Sequence, residues 1–143
     1  MKIVDANVLL NAVNEAAEAH EAARSWLLRA LAGDEAVAFS WLVILAFLRL
    51  STRGYAFPSP LSVGDACDLV ERWLSLPPAQ LLHPTEQHAA VLFELLDAAG
   101  TGGNLVNDAH LAALAIEHGA EVVSFDTDFA RFPGLRWQLL SGP

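Results

Sequence analysis

Short apolar runs that stop at a polar residue alternate along this chain with longer stretches of helical periodicity. Lys2-Ile3-Val4 predicts a short buried strand that ends at Asp5. From about Val8 to Leu31 the spacing predicts one helix with Ala-rich faces, closed by Gly33-Asp34. Ala36 to Ser40 predicts a second strand, Trp41 to Ser51 a mostly apolar helix, and Gly54 to Pro60 a loop. Ser62-Val63-Gly64-Asp65 has the form of a helix N-cap, opening a helix to about Leu76 that Pro77-Pro78 stops. Gln80 to His83 predicts a strand, and Pro84-Thr85 the start of a helix to about Ala99. Gly100, Gly102 and Gly103 then link to a helix from about Asn107 to His118, with Gly119 as its C-cap. Glu121 to Phe125 predicts a strand ending at Asp126, and Arg136 to Leu140 an edge strand. Strands alternating with helices imply an α/β fold, a central mostly parallel sheet with right-handed crossovers and flanking helices. No repeat or linker divides the chain, so residues 1–143 are expected to form one domain.

Composition changes this picture in two places. A hydrophobic content of 54% is high for a domain of 143 residues and implies that a partner covers some apolar surface. Glu15, Glu18, Glu21, Arg24 and Arg29 interrupt the Ala-rich start, so no membrane span is expected there. Asp5 inside the first apolar stretch argues against a secretory signal. The single cysteine, Cys67, permits no disulfide framework or thiolate metal site and is expected to be a buried apolar residue. A cytoplasmic location is expected. The net charge of −9 opposes non-specific binding to nucleic acid and argues against a simple basic binding module. An acidic enzyme can still act on RNA where bound cations offset its charge locally.

The candidate chemistry lies in four aspartates. In open parallel sheets, ligands bind beyond the carboxyl ends of the strands. Asp5 and Asp126 each follow an apolar run directly, Asp128 comes two residues later, and Asp108 falls near the start of a helix. Gathered at one rim, such carboxylates repel one another, and a hard divalent cation with oxygen ligands is the usual remedy. Mg2+ or Mn2+ held this way activates water and screens a phosphodiester. Taken singly, Asp108 also suits a plain helix N-cap, and Asp126 with Asp128 an Asx turn. Asp5 is harder to dismiss in this way, because aspartate is depleted in strands.

The order of these motifs resembles the PIN-domain ribonucleases, in particular the VapC-type toxins of bacterial toxin–antitoxin pairs. Met1-Lys2-Ile3-Val4-Asp5-Ala6-Asn7 resembles the family's opening strand, Asp and small polar residue. Val106-Asn107-Asp108-Ala109-His110-Leu111 resembles its third acidic motif, and Ser124-Phe125-Asp126-Thr127-Asp128-Phe129 its closing one. The resemblance spans essentially the whole chain. It implies an Mg2+- or Mn2+-dependent endoribonuclease acting on RNA, a homodimer, and a cognate VapB-like antitoxin whose tail blocks the site. By this reading Asp5, Asp108, Asp126 and Asp128 are catalytic, with Asp5, Asp108 and Asp126 as the metal ligands. Asn7, Arg49, Arg53 and Thr127 are candidate RNA contacts or accessory residues; on helical spacing Ala46, Arg49 and Arg53 share one face.

One position departs from the pattern. The family places a glutamate on the helix after the second strand, and here Ala46-Phe47-Leu48-Arg49 sets an alanine there. The alternative function is therefore a weakly active or inactive PIN-like interaction module. Phosphoaspartyl chemistry is set aside, because it needs an internal lysine and the only lysine is Lys2. A P-loop is excluded, since no Gly-x-x-x-x-Gly-Lys occurs. The five histidines lack a zinc spacing and are expected to be structural or on the surface, and the four tryptophans to lie in the core or an interface.

Overall fold

Five short strands form one all-parallel sheet: β1 (Lys2–Val4), β2 (Val37–Phe39), β3 (Ala79–Leu81), β4 (Glu121–Ser124) and β5 (Trp137–Leu139), in the order β3-β2-β1-β4-β5. This computed structural model describes residues 1–54 and 57–141, so Tyr55 and Ala56 of the expected Gly54–Pro60 loop lie outside the described residues. The helices are α1 (Ala6–Val13), α2 (His20–Ala32), α3 (Trp41–Ser51), α4 (Val63–Leu74), α5 (His88–Ala99) and α6 (Leu105–His118). The α/β fold with a parallel sheet is thus as expected. The path steps outward from β1 to β2 to β3, then reverses to β4 on the far side of β1. With right-handed crossovers, that reversal puts α1 to α4 on one face of the sheet and α5 and α6 on the other.

Burial on both faces explains why the central strands read as continuous apolar runs. Ile3, Val4, Val37, Ala38, Phe39, Val122 and Val123 are all buried. Helix α6 crosses the sheet on a run of small residues, Ala109, Ala112, Ala113 and Ala115, which lets its backbone lie close. It ends at Gly119, whose φ of 66° is left-handed and whose N–H bonds back to the last turn. Ser62 caps α4 as the sequence predicts, its Oγ accepting from the Asp65 N–H at 3.1 Å.

The long helix expected over Val8 to Leu31 is two helices. Asn14 leaves the helical region at φ −83° and ψ 97°, and its Oδ1 accepts the Ala16 N–H at 3.2 Å. An asparagine that satisfies a neighbouring backbone donor competes with helix continuation, and the chain turns so that α2 packs back on α1. Cys67 also departs from expectation. Helix α4 buries Ala66, Val70 and Trp73, a 4-then-3 spacing that leaves the next position, Cys67, exposed. Among the tryptophans, Trp73 is core, edge-on to Phe47 at 5.1 Å between ring centres, whereas Trp41 is half-exposed.

The histidines fall among the structural and surface positions expected of them: His83 is exposed, His20 Nδ1 meets the Asn11 carbonyl at 2.9 Å between α2 and α1, and His88, His110 and His118 make tertiary hydrogen bonds. His118 Nε2 donates to the His83 carbonyl at 2.8 Å. Glu117, its side chain 1% exposed, accepts from Thr85 N–H at 2.9 Å, Thr85 Oγ1 at 2.6 Å and His88 Nδ1. His88 Nε2 in turn meets His110 Nδ1 at 2.9 Å. With both rings neutral, His110 donates to His88 and His88 to Glu117, so each nitrogen has one role. Thr85 anchors α5 onto α6, and its Oγ1 also accepts the Gln87 N–H at 3.2 Å in the turn before α5, which begins after Gln87. Burial opposes the charge on Glu117, yet the Thr85 and His88 hydrogen bonds outweigh it and hold its pKa below the ordinary carboxylate value. A depressed folded pKa contributes stability above the unfolded value that is lost as pH falls through the folded one. Glu117→Ala should therefore lower the unfolding free energy at pH 7 by about 2 kcal/mol. Urea melts should show that difference shrinking below about pH 4.

Candidate active site

Asp5 follows β1, Asp126 follows β4, and Asp108 lies in the first turn of α6. Strands β1 and β4 are hydrogen-bonded neighbours, but the chain leaves them in opposite directions along the sheet. The crevice beyond their carboxyl ends is the switch point at which open α/β sheets bind ligands.

Three carboxylates converge there. Asp108, Asp126 and Asp128 each offer an oxygen, and the three oxygens lie within 4.8 Å of one another. The triad contains Asp128 beside two of the expected ligands, Asp108 and Asp126, and leaves the third, Asp5, outside it. Asp5 is nonetheless close enough to raise the pKa of Asp108, as Asp126 and Asp128 also do. Burial is the larger cause, and together they push Asp108 up to about 7. Burial likewise raises Asp5, opposed by its hydrogen bonds from Ser124 and Ala6 and assisted by the charge of Asp126. The plain N-cap reading of Asp108 does not apply, because Asn104 occupies the cap and Asp108 is the fourth helical residue. The Asx turn is real: Asp126 Oδ1 accepts the Asp128 N–H at 2.8 Å, which fixes the two carboxyl groups relative to one another.

A buried serine organises the rest. Ser124 Oγ donates to Asp5 Oδ2 at 2.6 Å and accepts from Asn7 Nδ2 at 3.0 Å and Asp126 N–H at 2.9 Å. Asn7 Oδ1 accepts the Phe125 N–H at 3.2 Å, and Asp5 Oδ1 accepts the Ala6 N–H at 2.7 Å. One hydroxyl therefore ties the residues after β1 to those after β4. Sequence reasoning passed over Ser124. Its signal was present as a polar residue inside the apolar run Val122-Val123-Ser124-Phe125, at a fully buried position. Asn7, expected as an RNA contact or an accessory residue, has its amide turned to this brace.

A cavity of about 400 Å³ opens beside the acids, lined by Asp5 and Asp108 and, from α3, by Leu42, Leu45, Ala46 and Arg49. Ala46 thus faces the carboxylates, where the expected glutamate would stand. Arg49 shares that face, but Arg53 does not: α3 ends at Ser51, so helical spacing does not extend to it. Thr127 is exposed between Asp126 and Asp128. An all-oxygen donor set with a strongly raised pKa fits a hard divalent cation, which offsets the repulsion that the metal-free site carries.

A doubly wound parallel sheet with a carboxylate cluster at its switch point defines the class. The PIN domain model matches residues 2–135, and the chain belongs to the PIN domain family. It is 54% identical over 137 residues to ribonuclease VapC37 of Mycobacterium tuberculosis, covering 96% of this chain and 95% of that protein. Ribonuclease VapC33 of the same organism is 38% identical, with 96% of each chain covered. Among solved structures, M. tuberculosis VapC20, a toxin that cleaves the sarcin–ricin loop, has the same fold: TM-score 0.70 at 19% identity, covering 95% of this chain and 99% of that one. VapBC2 from Rickettsia felis, bound to a promoter DNA fragment, gives 0.68 at 20% identity with 98% of both chains covered.

The raised Asp108 contributes a pH response to the metal-free protein, in the same sense as the raised Asp5 and opposite to that of Glu117. Between about pH 4 and pH 7 the folded state holds a proton that the unfolded chain has released, so stability falls as pH rises through that window. In EDTA the melting temperature should be higher at pH 5.5 than at pH 8. Asp108→Asn should flatten the profile, stabilising the protein at pH 8 by on the order of 1 kcal/mol after allowance for solvent screening. Ala46→Glu should act in the opposite sense, lowering metal-free stability by on the order of 1 kcal/mol while adding an oxygen ligand that tightens Mn2+ binding. Calorimetric Mn2+ titration of both proteins checks this; equal affinities would show that position 46 does not reach the cation.

Proposed function

We propose that this chain is a metal-dependent endoribonuclease that serves as the toxin of a type II toxin–antitoxin pair. The observation that carries the reading is the convergence of Asp108, Asp126 and Asp128 at the switch point. The RNA substrate comes from the relatives, which are named ribonucleases across essentially the full length of this chain.

Asp108, Asp126 and Asp128 would hold Mg2+ or Mn2+. Each Asp5 oxygen keeps a lone pair beyond the bond it accepts, so Asp5 completes the set from the β1 side. A hard cation bound there supplies activation of water and charge screening of the phosphodiester. The chain's own residues supply position. Ser124 and Asn7 hold Asp5 and Asp126 in a fixed relation, and the Asx turn does the same for Asp128. Arg49, beside the adjoining cavity, is the one basic residue among the described residues lining it and suits an RNA phosphate.

The partner is an antitoxin of the VapB kind, in keeping with the VapBC assemblies among the structural neighbours. An apolar groove of about 490 Å³ between α2 and α4, walled by Leu27, Leu28, Leu31, Leu69 and Trp73, is the surface such a partner buries. A basic side chain from its tail would lie among the aspartates. The toxin itself pairs as a homodimer. No helix of the described residues is long and apolar enough to cross a membrane, in keeping with a cytoplasmic protein.

Purified protein should cleave RNA in Mn2+ or Mg2+ and stop in EDTA. Asp126→Asn should lower the rate by about 100-fold or more while the circular dichroism spectrum is unchanged. Cleavage that ignores chelation would refute the mechanism. Absence of both cleavage and Mn2+-dependent stabilisation would favour the interaction module that Ala46 brings into view.

A further inference from the structure

The cavity between α3 and α6 is more than an approach to the acids. Its walls are apolar: Leu42, Leu45 and Ala46 come from α3 and Leu111 from α6. Its rim is polar: Arg49 on the α3 side, Asn107 and Asp108 on the α6 side. Neither the Arg49 guanidinium nor the Asn107 amide is engaged by any described residue. At about 400 Å³ the space lies toward the small end of the ~300–1,000 Å³ typical of small-molecule sites. It holds a single ring system and excludes a base-paired helix. The space exists because residue 46 carries only a methyl group.

We propose that this cavity seats one unpaired nucleobase of the RNA, next to the phosphate presented to Asp108, Asp126 and Asp128. This rests on the ribonuclease reading above and names the kind of RNA it takes: a strand whose base is free to leave its stack. The charge distribution favours this occupant. The chain carries −9, and its only lysine is locked to Glu121 at 2.6 Å, at the amino-terminal end of the sheet. Long-range attraction to the RNA backbone is therefore unavailable, and affinity has to come from contacts made at short range. An apolar slot beside a phosphate site supplies them, since a splayed base buries its faces there and pairs its edge with a polar rim. Asn107, with both a donor and an acceptor, is placed to read that edge, and Arg49 to meet the phosphate.

The test fills the cavity without touching the acids. The full-length protein is titrated with each of the four 5′-nucleoside monophosphates and with inorganic phosphate, in Ca2+ so that no turnover occurs. The wild type should bind at least one nucleotide about tenfold more tightly than phosphate. Ala46→Leu should erase that preference, while phosphate and Mn2+ affinities and the melting temperature stay close to wild type. On single-stranded RNA in Mn2+, Ala46→Leu should raise KM about tenfold. Arg49→Ala should weaken nucleotide and phosphate alike. Nucleotide affinity and KM unchanged in Ala46→Leu, with wild-type cleavage intact, would overturn the base site and leave the ribonuclease standing. Loss of all metal-dependent cleavage in the wild type would instead bring down the function and the base site together. A KM change that tracks dissociation of a dimer, read by sedimentation velocity, would assign the cavity to a second copy of the chain and overturn the proposal.

Discussion

Mutual repulsion among carboxylates at the ends of β1 and β4 is the constraint around which this molecule is arranged. Asp5, Asp108, Asp126 and Asp128 raise the free energy of the folded chain whenever all are charged, and this repulsion adds to the larger effect of burial in pushing Asp108 up to about 7. The fold opposes that repulsion with directed hydrogen bonds. The Ser124 hydroxyl serves Asp5, Asn7 and the Asp126 amide at once, and a buried hydrogen bond to a charged oxygen is worth more than one between neutral groups. What these bonds leave uncompensated is a local excess of negative charge in a fixed geometry. A cation bound there would offset that excess, so on the proposed reading the site's instability without metal and its affinity for metal are one property.

Sheet order converts this local arrangement into a site. Strands β1 and β4 are adjacent in space and separated by more than 100 residues in sequence, so β1 to β4 pairing must be complete before Asp5 and Asp126 meet. Lys2 and Glu121 form their ion pair at the opposite end of the same two strands, where the register pairs them directly. Basic charge is thus tied down at one end of the strand pair and acidic charge gathered at the other. The Glu117–His88–His110 chain performs a similar service for α6, holding the helix that carries Asp108 against α5. Asp108 and His110 are two residues apart and so point to different sides of the helix, one to the acids and one to the clasp.

Much of this was legible because the relevant signals were local. An aspartate just after an apolar run marks a strand end in the sequence, and Asp5 and Asp126 could be placed beyond β1 and β4 for that reason, where each also caps the helical turn that follows. The glycine and serine caps follow from backbone geometry alone. What escaped was set by tertiary context. The break between α1 and α2 carries no proline or glycine, only an asparagine whose side chain prefers a neighbouring amide. The exposure of Cys67 depends on which face α4 turns inward, which one residue of phase decides. Ser124 looked like an ordinary strand residue because a hydroxyl reveals its partners only when distant segments converge on it. Arg53 was lost to a helix that ended two residues too soon.

Ala46 joins the metal site to its surroundings, because one position cannot serve both a ligand and a cavity. A carboxylate there would offer an oxygen to the proposed cation and occupy the space between α3 and α6; a methyl group offers no ligand and leaves the space open. Fewer anionic ligands mean weaker holding of a hard cation, but also less cancellation of its charge by the protein. More of that charge is then available to a phosphate, while the apolar walls of Leu42, Leu45 and Leu111 stay exposed to whatever adjoins it. In a protein of net charge −9, with Arg49 the one basic side chain among the described residues lining this cavity, those would be attractions open to an anionic substrate. The alanine is therefore consistent with a site that draws binding from substrate contacts instead of from a tightly preassembled metal.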